Sequence, residues 1–172
     1  MKMQQNIIDK IALKMGCVGK FFRDRNQEVS DDTIISEIEA VEDLELTDQY
    51  GRTLLHNAVL TERFAVVEYL VTQGAKVNTH DAMGKTPLHF AAQRGNVKLI
   101  DYLIKQGAEV NAVDSNGNNP IPTGRIWPIE VYEILVDNGV DPTIKNNFGV
   151  SAMDAFAAYP DIIAVFSKSI NK

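Results

Sequence analysis

Cysteine is almost missing from this 172-residue chain. Cys17 stands alone, so no intramolecular disulfide can form and no cysteine cluster exists for zinc. Histidine is scarce as well, at three residues, and none has the Cys, His or Glu companions at the spacing a metal site needs. No apolar run approaches the about 20 residues that a membrane-spanning helix requires. The apolar N-terminal stretch Ile7–Phe22 is interrupted by Asp9, Lys10, Lys14 and Lys20, which disqualifies it as an export signal. Lys14 also stands where a lipoprotein cleavage site before Cys17 would want an apolar residue. An excess of positive charge is lacking too. The net charge is −6, whereas nucleic acid and anionic membranes reward a basic surface. There is no Ser-His-Asp order with a nucleophile turn and no phosphate-cradling glycine loop. The expectation is a soluble cytoplasmic protein, monomeric when free, with no catalytic residue, metal or cofactor and with neither nucleic acid nor membrane as partner.

What is present is a repeat. Hydrophobic residues make up 45% of the chain, enough for a packed core. Asp48-Gln-Tyr-Gly51-Arg-Thr53-Leu-Leu-His56-Asn-Ala58 recurs 33 residues later as Asp81-Ala-Met-Gly84-Lys-Thr86-Pro-Leu-His89-Phe-Ala91. Leu70-Val-Thr-Gln-Gly74-Ala-Lys-Val77-Asn78 matches Leu103-Ile-Lys-Gln-Gly107-Ala-Glu-Val110-Asn111 at the same offset. Gly51 and Gly84 sit where a tight hairpin turn demands positive φ. Thr53 and Thr86 stand at a helix N-cap, and Pro87 follows at the first helical position. Val66, Val67, Tyr69 and Leu70 give a second helix its apolar stripe, as do Val97, Leu99, Ile100 and Leu103. Gly74 and Gly107 end that helix.

This pattern resembles the ankyrin-repeat family, whose unit has this length and a T-P-L-H-x-A core. The resemblance is most specific over Asp48–Asn111 and weakens towards Ala158. It implies an all-α ankyrin-repeat solenoid of helix-turn-helix units with β-hairpin turns, three to four units plus a helical N-terminal cap. Residues 1–45 form the cap, with an acidic segment, and residues 46–172 form the repeats. The units run 48–80, 81–113, 114–145 (degenerate) and 146–172 (a C-terminal cap). In the cap, Ser30-Asp-Asp-Thr33 signals a helix start and Ile34, Ile35, Ile38 and Val41 form its stripe. Leu44 lies 33 residues before Val77, so this helix reads as a degenerate opening half-unit, as repeat stacks require at their ends. Residues 5–22 read as a further amphipathic helix, packed on the cap or offered to a partner or membrane surface.

The third unit restarts at Asp114-Ser-Asn-Gly117-Asn-Asn119-Pro120 but then breaks. Pro122 stands where His56 and His89 stood, and Gly124 replaces Ala91. Interior proline costs a helix about 3 kcal/mol, so this segment is expected to be looped or 3₁₀-like. Tyr132–Gly139 then supplies a second helix and its stop. The fourth unit reopens at Asn146-Asn-Phe-Gly149 with Ser151 as cap, and Ala155–Ala158 and Ile162–Phe166 would give its helices.

His56 and His89 are repeat-equivalent, so they read as structural, each bonding backbone near its own hairpin. The family resemblance implies that binding uses the hairpin tips and the inner-helix face. Position by position, that gives Gln49, Tyr50, Arg52, Asn57, Leu60 and Thr61 in the first full unit. In the second it gives His80, Ala82, Met83, Lys85, Phe90, Gln93 and Arg94. Tyr, Met and Arg favour interface cores. Two departures from the repeat add candidates. Arg125 and Trp127, the only tryptophan, are either binding anchors or filler for the missing helix. The stretch Glu28–Asp48 holds nine of the 23 acidic residues and no Lys or Arg. Its Glu37, Glu39 and Glu42 are either a solvated face or a docking surface for a basic partner. The resemblance extends to short bacterial ankyrin proteins. It implies a non-catalytic protein-binding module: a bacterial immunity protein that binds and inhibits a toxin, or else an adaptor or structural chaperone.

Overall fold

The computed structural model describes residues 2–15 and 29–170. Helices α1 (Lys2–Lys14) and α2 (Asp31–Ile38) precede the first full unit, which contributes α3 (Leu54–Leu60) and α4 (Phe64–Thr72). The second unit contributes α5 (Pro87–Arg94) and α6 (Val97–Lys105), the third only α7 (Ile129–Asp137), and the fourth α8 (Ala152–Ala155) and α9 (Pro160–Ile170). No strand occurs among the described residues, so the expected all-α solenoid is what the chain forms.

The helices stand in two rows. α1, α3 and α5 pack successively as an inner row, while α2 packs on α4 and α6, α7 and α9 follow one another as an outer row. Each inner helix also packs on its own outer partner. The T-shaped pair Phe64–Tyr102, with ring centroids 5.3 Å apart, joins α4 to α6. The apolar stripes read from sequence lie in the core: Val66, Val67, Leu70, Leu99, Ile100 and Leu103 are all buried. Fully burying such a side chain is worth about 1.5–3 kcal/mol, so the row-to-row seam supplies the main stabilisation. At the C-terminal end Tyr132, Phe156 and Phe166 form a buried edge-to-face cluster with centroids 5.2–6.0 Å apart.

Two expectations for the N-terminal region change. The first helix begins at Lys2 rather than at residue 5 and is described as far as Lys14; its expected continuation to residue 22 falls within residues 16–28, which with Glu28 lie outside the described residues. Its buried Ile8, Ile11 and Ala12 pack it on α2 and on α3. It occupies the inner slot beside α2, so the cap is a full helix pair and not a half-unit. The Lys14–Glu37 ion pair and the Arg63 guanidinium, 2.5 Å from Asp31 and 3.0 Å from the Val29 carbonyl, tie the cap to itself and to α4.

The break in the third unit is where proline predicts it. Asn119 takes the cap position and its Oδ1 accepts from Ile121 N–H at 3.2 Å. Pro122 then halts the helix, and the chain runs through turns to α7. The closing helices differ by a few residues from expectation: α8 begins directly after Ser151 and ends at Ala155, and α9 extends to Ile170.

Candidate functional site

The exposed edge of the stack is built from four hairpin turns closed in the same way. Asp48 N–H donates to Arg52 O, Asp81 to Lys85, Asp114 to Asn118 and Asn146 to Val150, each at 2.9–3.0 Å. In each turn the side-chain Oδ1 of the first residue accepts two further backbone N–H groups. Asp48 accepts from Tyr50 and Arg52, Asp81 from Met83 and Lys85, Asp114 from Asn116 and Asn118, and Asn146 from Phe148 and Val150. This is why Asp or Asn opens every unit. The turns are stitched to one another by Ala82 N–H to Tyr50 O at 3.0 Å, Ser115 N–H to Met83 O at 2.9 Å and Asn147 N–H to Asn116 O at 2.8 Å.

Inner-helix histidines fasten each unit to the next. His56 Nδ1 accepts from Thr53 N–H at 3.2 Å, which leaves Nε2 as the protonated nitrogen, donating to Lys85 O at 3.0 Å. His89 repeats the arrangement with Thr86 N–H at 3.1 Å and Asn118 O at 3.1 Å. The structural role expected of both is as read, with the backbone bond beside the ring's own hairpin, and the ring reaches the following unit's hairpin as well. Burial lowers the His56 pKa to about 4 and lowers that of His89 as well.

This scaffold sorts the expected contact residues. Tyr50 and Met83 project from the tips, 49% and 54% exposed, and Gln49, His80, Ala82, Gln93 and Arg94 are exposed with them. Leu60 and Thr61 are half-buried, and Thr61 donates back to Asn57 O at 2.7 Å. Arg52, Asn57 and Phe90, also expected to face a partner, are buried. Asp48 Oδ2 accepts from Arg52 Nε at 3.1 Å and from Asn57 Nδ2 at 3.2 Å. Burial pushes the Asp48 carboxyl up, but donors from Arg52, Tyr50 and Asn57 outweigh it and hold it below the usual carboxylate range. Phe90 meets the His56 ring edge-on, centroids 5.9 Å apart.

Sequence reasoning missed Phe148, the most exposed large apolar side chain described, at 76%. It occupies the tip slot of Tyr50 and Met83, so aligning the fourth hairpin with the first two would have found it. Of the acidic candidates, Glu39 and Glu42 are exposed while Glu37 is half-buried against Lys14.

The missing inner helix of the third unit leaves a cleft of about 450 Å³ between the second unit and the broken segment. Lys85 and Gln93 of the second unit line it together with Ile121, Pro122, Arg125 and Trp127 of the broken segment, of which Ile121 and Pro122 are buried. Three candidates read separately, Lys85, Arg125 and Trp127, thus come together. Trp127 is half-buried and carries the Arg125 guanidinium 4.3 Å from its ring centroid. The wall is held from behind by Tyr132, fully buried on α7. Its hydroxyl accepts from Trp127 N–H at 3.1 Å and donates to Arg125 O at 3.3 Å. Asn119 Nδ2 anchors the other end on Asp141 O at 2.7 Å. No group of His, Cys, Asp or Glu able to hold a metal ion occurs among the described residues. No described helix is long and apolar enough to cross a membrane.

Comparison with known proteins agrees with this architecture. The family model described as ankyrin repeats (3 copies) matches residues 26–121, from just before α2 into the broken third unit, and the stitched hairpins carry the pattern on to Val150. No curated protein matches the chain significantly. The chain belongs to the ankyrin-repeat family, a family of protein-interaction modules.

Proposed function

We propose that this protein acts by binding one other protein along the hairpin tips and the third-unit cleft, without catalysing a reaction. The observation that carries this reading is the row of apolar tips. Tyr50, Met83 and Phe148 are all about half or more exposed, and the inter-hairpin hydrogen bonds hold them on one continuous edge. Tyr50 also covers the Arg52 guanidinium, 4.5 Å from its ring centroid, and exposed apolar groups in an ordered row are a mark of interaction sites. Arg52, Asn57 and Phe90 do not belong to this contact set.

Within that reading we favour an inhibitor that blocks a toxin in a bacterial cytoplasm over an adaptor or structural chaperone. Its support is the likeness to short bacterial ankyrin proteins together with the exposed Asp32, Glu39 and Glu42 at the cap. These acids would attract a nuclease-type toxin whose phosphate-holding surface is basic. Asp31, Glu37, Glu45 and Asp48 are less exposed and make internal bonds. Co-expression with the toxin of a neighbouring gene tests the finer reading. Protection that is lost on charge reversal at Asp32, Glu39 and Glu42, with folding retained, supports the inhibitor. Absence of any protection by the unaltered protein removes it and leaves the adaptor.

A further inference from the structure

Charge is divided along this stack in a way the acidic cap alone does not disclose. The eight acids from Asp31 to Asp48 lie at its N-terminal end. The cleft two units further on is lined by Lys85 and Arg125, and neither has a carboxylate partner among the described residues. Asp114 is the one acid on the cleft lining. Its carboxylate is already used: Oδ1 accepts from Asn116 N–H and Asn118 N–H at 2.9 Å, and both oxygens face the Asn118 amide. His89, also on the lining, has its Nε2 proton committed to the Asn118 carbonyl. Asp114 keeps its negative charge, but Lys85 and Arg125 outnumber it and His89 is neutral, so the cleft lining is net positive.

Shape and rigidity make it a site rather than a gap. About 450 Å³ falls within the range of pockets that enclose small ligands, room for two or three side chains. Ile121 and Pro122 on its lining are buried and apolar. The Arg125 guanidinium rests over the Trp127 ring, an arrangement that keeps a planar, weakly hydrated fork of donors pre-oriented. Tyr132 fixes the backbone between the two residues, so little freedom is lost when a ligand arrives. A fork of this kind matches a carboxylate with two parallel hydrogen bonds, and Lys85 adds a second positive charge to the same lining.

We propose that the third-unit cleft takes an acidic side chain, Asp or Glu, on an extended segment of the partner protein. Arg125 grips the carboxylate, Lys85 neutralises it, and Trp127 and Pro122 cover its aliphatic stem. This inference rests on the reading of the chain as a protein-binding module and deepens it. The partner is bipolar, with a basic patch towards the cap and an acidic segment in the cleft, so opposite charges fix its direction along the stack.

Because Trp127 is the only tryptophan, its fluorescence reports on the cleft directly. The probes are decapeptides of alternating Glu and Gly, blocked at both ends so that only side-chain carboxylates are offered, with Gln and Lys counterparts. The Glu peptide is expected to change Trp127 emission saturably and to weaken as salt is raised. The Gln peptide should bind at least about ten-fold more weakly and the Lys peptide not at all, since removing charge from one partner of a charge-assisted pair forfeits most of its strength. R125Q and K85Q should each weaken the Glu peptide about ten-fold, R125K less, with unchanged far-ultraviolet circular dichroism. Equal responses to Glu and Gln peptides, no saturable response, or a response that survives in the K85Q/R125Q double variant would overturn the proposal. Tyr50→Ser lies outside the cleft and should leave the peptide response intact. If the tip variants keep full partner affinity while the peptide response stands, the tip-row reading fails and the cleft chemistry does not.

Discussion

The indole of Trp127 occupies the space that a side chain on Gly95 would need: an ideal Cβ there would stand 2.3 Å from Cε3 of the ring. Gly95 ends α5 with φ +67°, so the second unit's inner helix stops under the very residue that walls the cleft. Gly95→Ala should cost about 1–2 kcal/mol for the left-handed backbone alone and should also displace Trp127, shifting its emission. Gly107→Ala is the control, because its φ is +86° but nothing lies within 4 Å of its Cβ. It should be destabilising through the backbone and leave the emission untouched. Identical emission changes in the two variants would mean that Trp127 does not rest on Gly95. Urea titration followed separately by circular dichroism and by fluorescence reads both effects.

The histidine staples set a pH window. His56 is neutral in the folded protein, with a pKa of about 4, whereas an unfolded histidine titrates near about 6.5. Unfolding therefore takes up a proton as pH falls, so stability is full above about 6.5 and is lost steadily towards 4. From pH 6.5 to 5 the loss from His56 is about 2 kcal/mol, at 1.36 kcal/mol per unit, and His89 acts in the same direction. The depressed Asp48 carboxyl adds its own loss only below the ordinary carboxylate range. Urea midpoints should fall between pH 6.5 and 5, and a flat profile there would contradict the buried neutral staples.

Glu45 stands where the next units carry Asn78 and Asn111. Each asparagine accepts a backbone N–H, from Glu109 and Asp141 at 2.8 Å, and donates to a glycine carbonyl, of Gly107 and Gly139 at 2.9–3.0 Å. Glu45 accepts the equivalent bond from Lys76 N–H at 2.8 Å, but its second oxygen is buried without a donor. Glu45→Asn should therefore stabilise the protein by about 1 kcal/mol through the restored hydrogen bond. Thermal melting should rise by about 2–4 °C. A lower melting temperature would show that the cap carboxylate is needed as such.

The hairpins and helix starts were legible because their signals are local. Asp or Asn opens each turn, glycine follows two tip residues, and Thr53, Thr86 and Ser151 cap the helices that follow. Proline at 122 marked the break for the same reason. Burial of Arg52 was hidden because its repeat equivalents Lys85, Asn118 and Val150 vary, as a surface slot does, while Asp48 draws the guanidinium inward. Asn57 and Phe90 share a slot that is buried in both units, which residue type alone does not announce. The Tyr132 clasp joins α7 to a loop of irregular path, and no periodicity encodes such a contact. Nor did any spacing in the sequence show α1 taking the inner slot beside α3.

Tip side chains should separate binding from folding. Tyr50→Ser, Met83→Ser and Phe148→Ser lie on the surface and should each change stability by no more than about 0.5 kcal/mol. Each that acts as an anchor should weaken partner affinity by more than about ten-fold, the effect of losing over 1 kcal/mol at an interface. Calorimetric titration with the partner protein reads affinity, and urea titration of the same preparations reads stability.

The most direct measurement places a photo-crosslinking residue at positions 50, 83 and 148 in turn, and at positions 68 and 105 on the outer helices, in the cells that make the protein. The tips should yield one common adduct of a single defined protein, and the outer helices none. An adduct formed from the outer helices alone would contradict binding along the hairpin edge.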